Sequence, residues 1–363
     1  MQKVGIFYQK HVKKILSNAY LHFVLAGLFV LFLNLLKNEG MIKSSIIDEV
    51  ANFLIFGIAA LGFLILLGYG GLASLGTAVF IATGAFFTRY FMNLGIPPIT
   101  TFLIVIIIGV LLGIAIGFLS LRISGMYLAI ITLVIGEILI ELYKTVPLTP
   151  YTGGTGSARM SLHDLFFSIP LRTNVVIYII TIVFVLILIF TYHFKKGPAG
   201  RAMLSMKNSE SAAQTMGVNL LRYRILAFVI STTFAMISGY LYMLYNRMAT
   251  INSFGLNKSL EILAAVVVGG TGSLWGLLIG VFLIFSTNGL ILQNIDFFRL
   301  NPTFMLFING ILMIVVVLFY PGGMSQLIRQ GQFKYAVFKA NRKKKKEAKA
   351  QKSSTLKEES NNE

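Results

Sequence analysis

KSLEILAAVVVGGTGSLWGLLIGVFLIFSTNGLIL, residues 258–292, decides the topology of this chain. As one helix it would be about 50 Å long at 1.5 Å per residue, against a hydrocarbon core of about 30 Å. The run Gly269-Gly270-Thr271-Gly272-Ser273 interrupts it where helix propensity is poor. Broken there it gives two passes, a short or re-entrant 258–270 and a longer 273–292. A non-helical backbone at that depth has to be buried in protein or line a wet cavity. Positive charge arbitrates between one pass and two. Lys10, Lys13 and Lys14 place the N-terminus in the cytoplasm, and Lys343–Lys346 belong on the same side. Only two passes across 258–292 bring both clusters to that side.

Outward from this stretch, further apolar runs lie near 20–36, 50–67, 72–92, 99–119, 125–143, 174–193, 225–245 and 303–320. Each is close to the length that crosses a bilayer. The expected architecture is an all-α polytopic membrane protein of about ten transmembrane helices with both termini cytoplasmic. The first run, Tyr20–Leu36, follows a basic segment but is long for a signal peptide and is read as an uncleaved helix. Residues 1–19 form a basic cytoplasmic N-terminus, 20–330 the membrane domain, and 331–363 a disordered Lys-rich cytoplasmic tail that meets anionic lipid. The 144–173 loop falls outside, and Leu162–Ile169 within it is expected as a short interfacial helix.

Composition agrees with this class. The chain is 56% hydrophobic and 12% charged, where soluble domains carry about 25% charged residues. The apolar runs are continuous rather than alternating, which excludes a β-barrel. The net charge of +18 sits at chain ends and in short loops, where it sets topology rather than binding nucleic acid. There are no cysteines, hence no disulfide or thiolate chemistry. No His/Asp/Glu grouping has metal-ligand spacing. No glycine-rich run is followed by the Lys-Ser/Thr of a nucleotide loop, so the chain is not expected to hydrolyse ATP or to hold a cofactor.

Three regions carry the functional reading. GRAMLSMKNSESAAQTMGVNLLRYR, residues 200–224, is the polar heart of a cytoplasmic loop spanning 195–224. Its basic residues, including Arg201 and Arg222, can serve as topology determinants. They explain neither the loop's length nor the helical Ser209–Met216 between Gly200 and Gly217, which suits docking in a partner's groove. The second region is Gly68–Gly76, with Tyr69, Gly70, Ser74 and Gly76, where glycine either packs helices closely or exposes backbone along a path. The third is the break at Gly270 and Gly272. Glu137 and Glu141 share one face of the 125–143 helix. Glu137 either pairs with Arg89 or Arg122 or makes a polar contact near a substrate path. Glu261 either marks the start of its helix or belongs to that path.

Four ordered blocks carry a family resemblance: GYGGLASLGTAVFIATGAF (68–86), LRISGMYLAIITLVIGEIL (121–139), GRAMLSMKNSESAAQTMGVNLLRYRILAFVIS (200–231) and SFGLNKSLEILAAVVVGGTGSLWGLLIG (253–280). Together they resemble LivM-type permease subunits of branched-chain amino acid ATP-binding-cassette importers. The pattern Glu210-Ser-Ala212-Ala213-x-x-x-Gly217 resembles the element by which importer permeases dock on their ATPase. Position 77 is Thr where the family often has His.

The resemblance implies an importer permease fold in the inner or plasma membrane of a prokaryote. It implies a second related permease subunit, two ATPase subunits that bind ATP and Mg, and an extracytoplasmic substrate-binding protein. Arg201, Glu210, Ala212, Ala213, Gly217 and Arg222 would form the ATPase-coupling loop. Tyr69, Gly70, Ser74, Gly76, Glu137, Glu261, Gly270 and Gly272 would border the translocation path. Branched-chain amino acids are the expected cargo. Urea, amides, nucleosides or sugars are the alternatives within the class, and a stand-alone channel or secondary carrier the alternative outside it.

Overall fold

The computed structural model describes residues 19–39, 43–120, 125–145, 157–159, 165–166, 169–170 and 173–286, with seven single positions between 307 and 324. The described chain is helical: α1 (Ala19–Asn38), α2 (Ser44–Phe63), α3 (Thr77–Asn93), α4 (Pro98–Leu119), α5 (Met126–Thr145), α6 (Thr173–Lys196), α7 (Pro198–Asn208), α8 (Glu210–Thr215), α9 (Leu220–Asn246), α10 (Leu256–Gly269) and α11 (Leu274–Val281). Among the described residues, six segments are long and apolar enough to cross a membrane: Tyr20–Lys37, Ser44–Tyr69, Pro98–Leu119, Val175–Lys196, Leu220–Asn246 and Ile251–Gly269. A shorter apolar helical stretch covers Leu274–Ser286. The expected count of about ten rests partly on 287–320, most of which lies outside the described residues, as do 1–18, Arg122 and the tail.

α2 and α9 form the centre. Both bury 78% of their most apolar window, against 28% for α4. Lipid offers no hydrophobic drive between helices, so close packing and interhelical hydrogen bonds hold them together. Gly109, Gly113 and Gly117 of α4 bring its backbone against Thr233, Val229 and Ile225 of α9. Thr232 Oγ1 donates to the Gly109 carbonyl at 2.9 Å, Ser238 Oγ to that of Ile55 at 2.7 Å, and the Tyr240 hydroxyl to that of Pro98 at 2.9 Å. These bonds tie α9 to α4 and α2. The opposite face of α4 exposes Leu103, Ile107, Leu111 and Phe118, a charge-free surface suited to lipid.

Two expectations change. Helix α2 starts at Ser44 and continues as a π-helical turn through Leu64–Tyr69, and α3 begins only at Thr77. The glycines and Ser74 between them leave 70–76 irregular, so the span expected at 72–92 is shorter. Where Leu162–Ile169 was expected as a short helix, the described residues are strands: β2 (Leu165–Phe166) pairs antiparallel with β3 (Ile169–Pro170). Phenylalanine and isoleucine favour strands, and Pro170 closes off helix continuation. Elsewhere in the same loop β1 (Ser157–Arg159) pairs with β4 (Met248–Thr250), joining it to the end of α9.

Candidate functional site

The two glycine-rich breaks meet. In the first, the π-turn closes with the Gly70 N–H on the Ile65 carbonyl at 3.0 Å and the Leu72 N–H on that of Leu66 at 3.0 Å. Such turns inside α-helices often mark functional positions. A Cβ on Gly68 would stand 2.5 Å from the Thr271 carbonyl oxygen, which belongs to the second break. Tyr69 is fully buried, and its hydroxyl has no hydrogen-bond partner among the described residues. Gly70 is buried against Leu66 and Ala227. Ser74, also buried, accepts the Gly76 N–H at 3.4 Å. The Leu75 N–H reaches Thr132 Oγ1 of α5 at 3.0 Å, and the Ala78 N–H reaches Ser259 Oγ of α10 at 3.1 Å. Gly76 itself lies against the Thr132 carbonyl. The first break is therefore seated on α5 and α10 at once.

In the second break α10 ends at Gly269, and Gly270 takes φ +99°, a conformation costly for any residue with a Cβ. Ser273 caps α11, its Oγ accepting the Gly276 N–H at 3.3 Å. Gly272 has open space around its Cα.

The polar loop expected to be cytoplasmic is a compact helical pair. Pro198 starts α7, where its missing N–H has no cost, and Met203 and Met206 face inward. Ser209 Oγ accepts the Ala212 N–H at 3.3 Å and so caps α8. Gly217, at φ +79°, ends α8 with its N–H on the Gln214 carbonyl and that of Val218 on the Ala213 carbonyl. Asn219 caps α9 by accepting the Arg222 N–H at 3.1 Å. Ala213 is buried, while Ala212, Arg222 and Arg201 are exposed, the last donating to the Lys196 carbonyl at 3.2 Å. Met216 stands 86% exposed at the tip.

Two contacts tie this element to the membrane domain, and a lysine at the end of α6 lies beside it. Arg224, 7% exposed, bonds Glu210 Oε1 at 2.5 Å through Nη2 and the Ser120 carbonyl at the end of α4 through Nη1. Lys207 Nζ of α7 donates to the Gly68 carbonyl at 2.9 Å. Partial burial there pushes its ammonium below the usual lysine value. Lys195 Nζ, just before α7, donates to the Gly272 carbonyl at 2.6 Å and lies 5.7 Å from the Tyr69 ring centre. Each glycine break thus receives a lysine from beside the polar loop. Arg224, Lys195 and Lys207 were legible from sequence only as loop charges.

The remaining candidates separate. Glu137 is exposed on α5 between Val134 and Ile138, whereas Arg89 is 4% exposed, so the proposed pairing of the two is not what the structure shows. Glu141 pairs with Lys144 at 3.3 Å. Glu261 lies inside α10, beyond its first turn, paired with Lys258 at 2.6 Å. The Lys258 ammonium sits over the stacked rings of Phe56 and Phe285. Among the described residues no group of His, Asp or Glu is arranged to hold a metal ion.

Residues 45–317 match the family described as branched-chain amino acid transport system / permease component. The chain belongs to this family. It is similar to the high-affinity branched-chain amino acid transport system permease protein LivM of Escherichia coli K12, 27% identical over 314 residues, 80% of this chain and 72% of that protein. It is also similar to the ribose import permease protein RbsC of Haemophilus influenzae, 27% identical over 269 residues, 69% of this chain and 79% of that protein. A probable ABC transporter permease, YphD of Escherichia coli K12, is 36% identical over 145 residues, 38% of this chain and 42% of that protein. No solved structure matches. The permease is a multi-pass protein of the inner membrane, and its relatives are transport subunits rather than enzymes.

Proposed function

We propose that this permease forms, with a second related permease subunit, the translocation path of an ATP-binding-cassette importer, and that α7 and α8 dock one of two ATPase subunits. The observation that supports this best is the lysine-tethered helical pair. A short, doubly capped element projects Ala212 and Met216 outward while Glu210–Arg224 and Lys207 fix its base. Such an element moves as a unit, so displacing it pulls through Lys207 on the first glycine break, which lies against the second at Gly68 and Thr271. ATP binding on the partners would then bias the pair of permeases between outward-open and inward-open states. No nucleotide or cofactor is held by this chain.

The outer face of α5 supports the path's location. Tyr127, Ile130, Val134 and Ile138 are exposed there, and Glu137 lies among them near the helix middle. A carboxylate at that depth is costly against hydrocarbon and belongs against protein or a wet cavity. Branched-chain amino acids, delivered by an extracytoplasmic binding protein, are the proposed cargo, in keeping with the family and with LivM. A sugar is the second reading, favoured by the ribose import permease among the relatives.

Glu210→Lys tests the docking. It sets a cation against the buried Arg224 and removes the carboxylate that holds it; leaving such a charged group unpartnered costs about 1–3 kcal/mol. ATP-dependent leucine uptake should fall at least about tenfold, with the ATPase lost on co-purification while the two permeases remain paired. Uptake unchanged, or activity from the permease alone in liposomes without ATP, would point instead to a channel or secondary carrier.

A further inference from the structure

A cavity of about 280 Å³ opens where α1, the end of α6, α7 and the start of α11 converge. Its size is near the lower end of the roughly 300–1,000 Å³ of small-molecule sites. Phe23, Leu204, Leu274 and Trp275 make its apolar part. Tyr192, Lys195, Lys196 and Ser273 make its polar rim, and none of the described lining residues is acidic. The rim is ordered. Lys196 Nζ donates to the Tyr192 hydroxyl at 2.5 Å and lies 4.2 Å from that ring's centre. The Tyr20 hydroxyl and His193 Nδ1 are 3.0 Å apart beside it. Phe23 packs on Trp275 and Tyr192 with centroids 5.4 and 5.5 Å away, and His22 meets the edge of Trp275 at 6.3 Å.

The surroundings fix the kind of occupant. Helices α1 and α6 leave the cavity antiparallel, and both continue as exposed apolar faces: Leu25, Leu28 and Phe32 on one, Leu186 and Phe190 on the other. The cationic rim lies at the end of α6 next to Pro198, where the chain leaves the membrane. Tyr and Trp at that level are typical of the headgroup region. A ligand that fits must be anionic at one end, apolar at the other, and approach along the lipid-facing surface.

We propose that this cavity binds the phosphodiester headgroup of an anionic phospholipid at the cytoplasmic leaflet, with Lys195 and Lys196 facing the phosphate and Phe23, Leu274 and Trp275 against the start of the acyl chains. Lys195 also holds the Gly272 carbonyl, so the bound lipid sits beside the second glycine break. The binding itself rests on the chain being embedded in a bilayer and not on the importer reading. Its test needs neither ATP nor partners.

Trp275 is the chain's one tryptophan, so intrinsic fluorescence reports this cavity directly. The full chain is reconstituted in phosphatidylcholine vesicles containing increasing fractions of brominated phosphatidylglycerol or brominated phosphatidylcholine. Each lysine near an anionic surface favours binding enough to shift it by about fivefold. Brominated phosphatidylglycerol should therefore quench Trp275 at a mole fraction at least about fivefold lower than brominated phosphatidylcholine. Lys196→Gln should shrink that preference, and Lys196→Arg, which keeps the charge, should retain it. Equal quenching by the two lipids would overturn the proposal. So would no quenching by either, which would place protein rather than lipid over the cavity.

Discussion

The two glycine-rich breaks share a composition, and each has a glycine in the left-handed region, Gly71 at φ +71° and Gly270 at φ +99°, but they differ in the room left beside them. In the first, glycine answers crowding: Gly68 meets the Thr271 carbonyl, Gly70 meets Leu66 and Ala227, and Gly76 meets the Thr132 carbonyl. In the second, Gly269 is crowded in the same way, an added Cβ standing 2.5 Å from the Gly276 carbonyl oxygen, but Gly272 has no neighbour within 4 Å of an added Cβ. The first is a fixed seat pinned to α5 and α10. The second has room beside it. Both are reached by lysines next to the polar loop, Lys207 from α7 and Lys195 from the end of α6, so a crowded joint and an open one lie side by side.

Substitution of the two glycines should break the symmetry most visibly. Gly68→Ala forces a methyl against a backbone carbonyl that cannot swing away, an overpacking expected to cost about 1–3 kcal/mol. The variant should lose several degrees of thermal stability in detergent and most of its uptake. Gly272→Ala, which meets nothing, should be near wild type in both measurements. If the two variants behaved alike, the distinction between seat and joint would be wrong.

The lysines sharpen the same contrast with a smaller effect. Lys207→Gln removes the charged donor to Gly68, and Lys195→Gln the donor to Gly272. Each charge-assisted bond should contribute about 1.5–3 kcal/mol at most, less where water reaches it. Both variants should fold. Lys207→Gln should uncouple transport, with ATP hydrolysis by the assembled complex continuing while uptake falls several-fold. Lys195→Gln should show the milder loss, because the joint it holds is already open. Uptake and hydrolysis falling in parallel for both would assign the lysines to assembly instead.

Much of this was legible in the sequence where the deciding signal is local. The break at 269–273 follows from clustered glycines, and the helix beginning after Ser209 and ending before Gly217 from its cap and its terminator. What was not legible depends on residues far apart in the chain. Nothing local says that Lys207 reaches Gly68, 139 positions away, or that Arg224 bridges Glu210 to Ser120. The π-turn at Leu64–Tyr69 reads as ordinary apolar helix, because tertiary seating rather than propensity sets its hydrogen bonds. Leu162–Ile169 misled in the opposite direction: its apolar content fits a short helix, but its described residues, Leu165, Phe166 and Ile169, pair in a two-stranded ladder that includes Pro170. Of the two readings of Glu137, the structure shows it exposed on α5 and not paired with Arg89, while Arg122 lies outside the described residues.

The claim that α8 is the ATPase contact has a direct test in a chain with no native cysteine. Met216→Cys places a single thiol at the exposed tip of the element. In membranes containing the assembled importer, that thiol should be shielded from a bulky maleimide and should crosslink to the ATPase subunit. Modifying it before assembly should abolish ATP-dependent uptake. A thiol labelled equally fast with and without the ATPase, with uptake intact after labelling, would contradict the account.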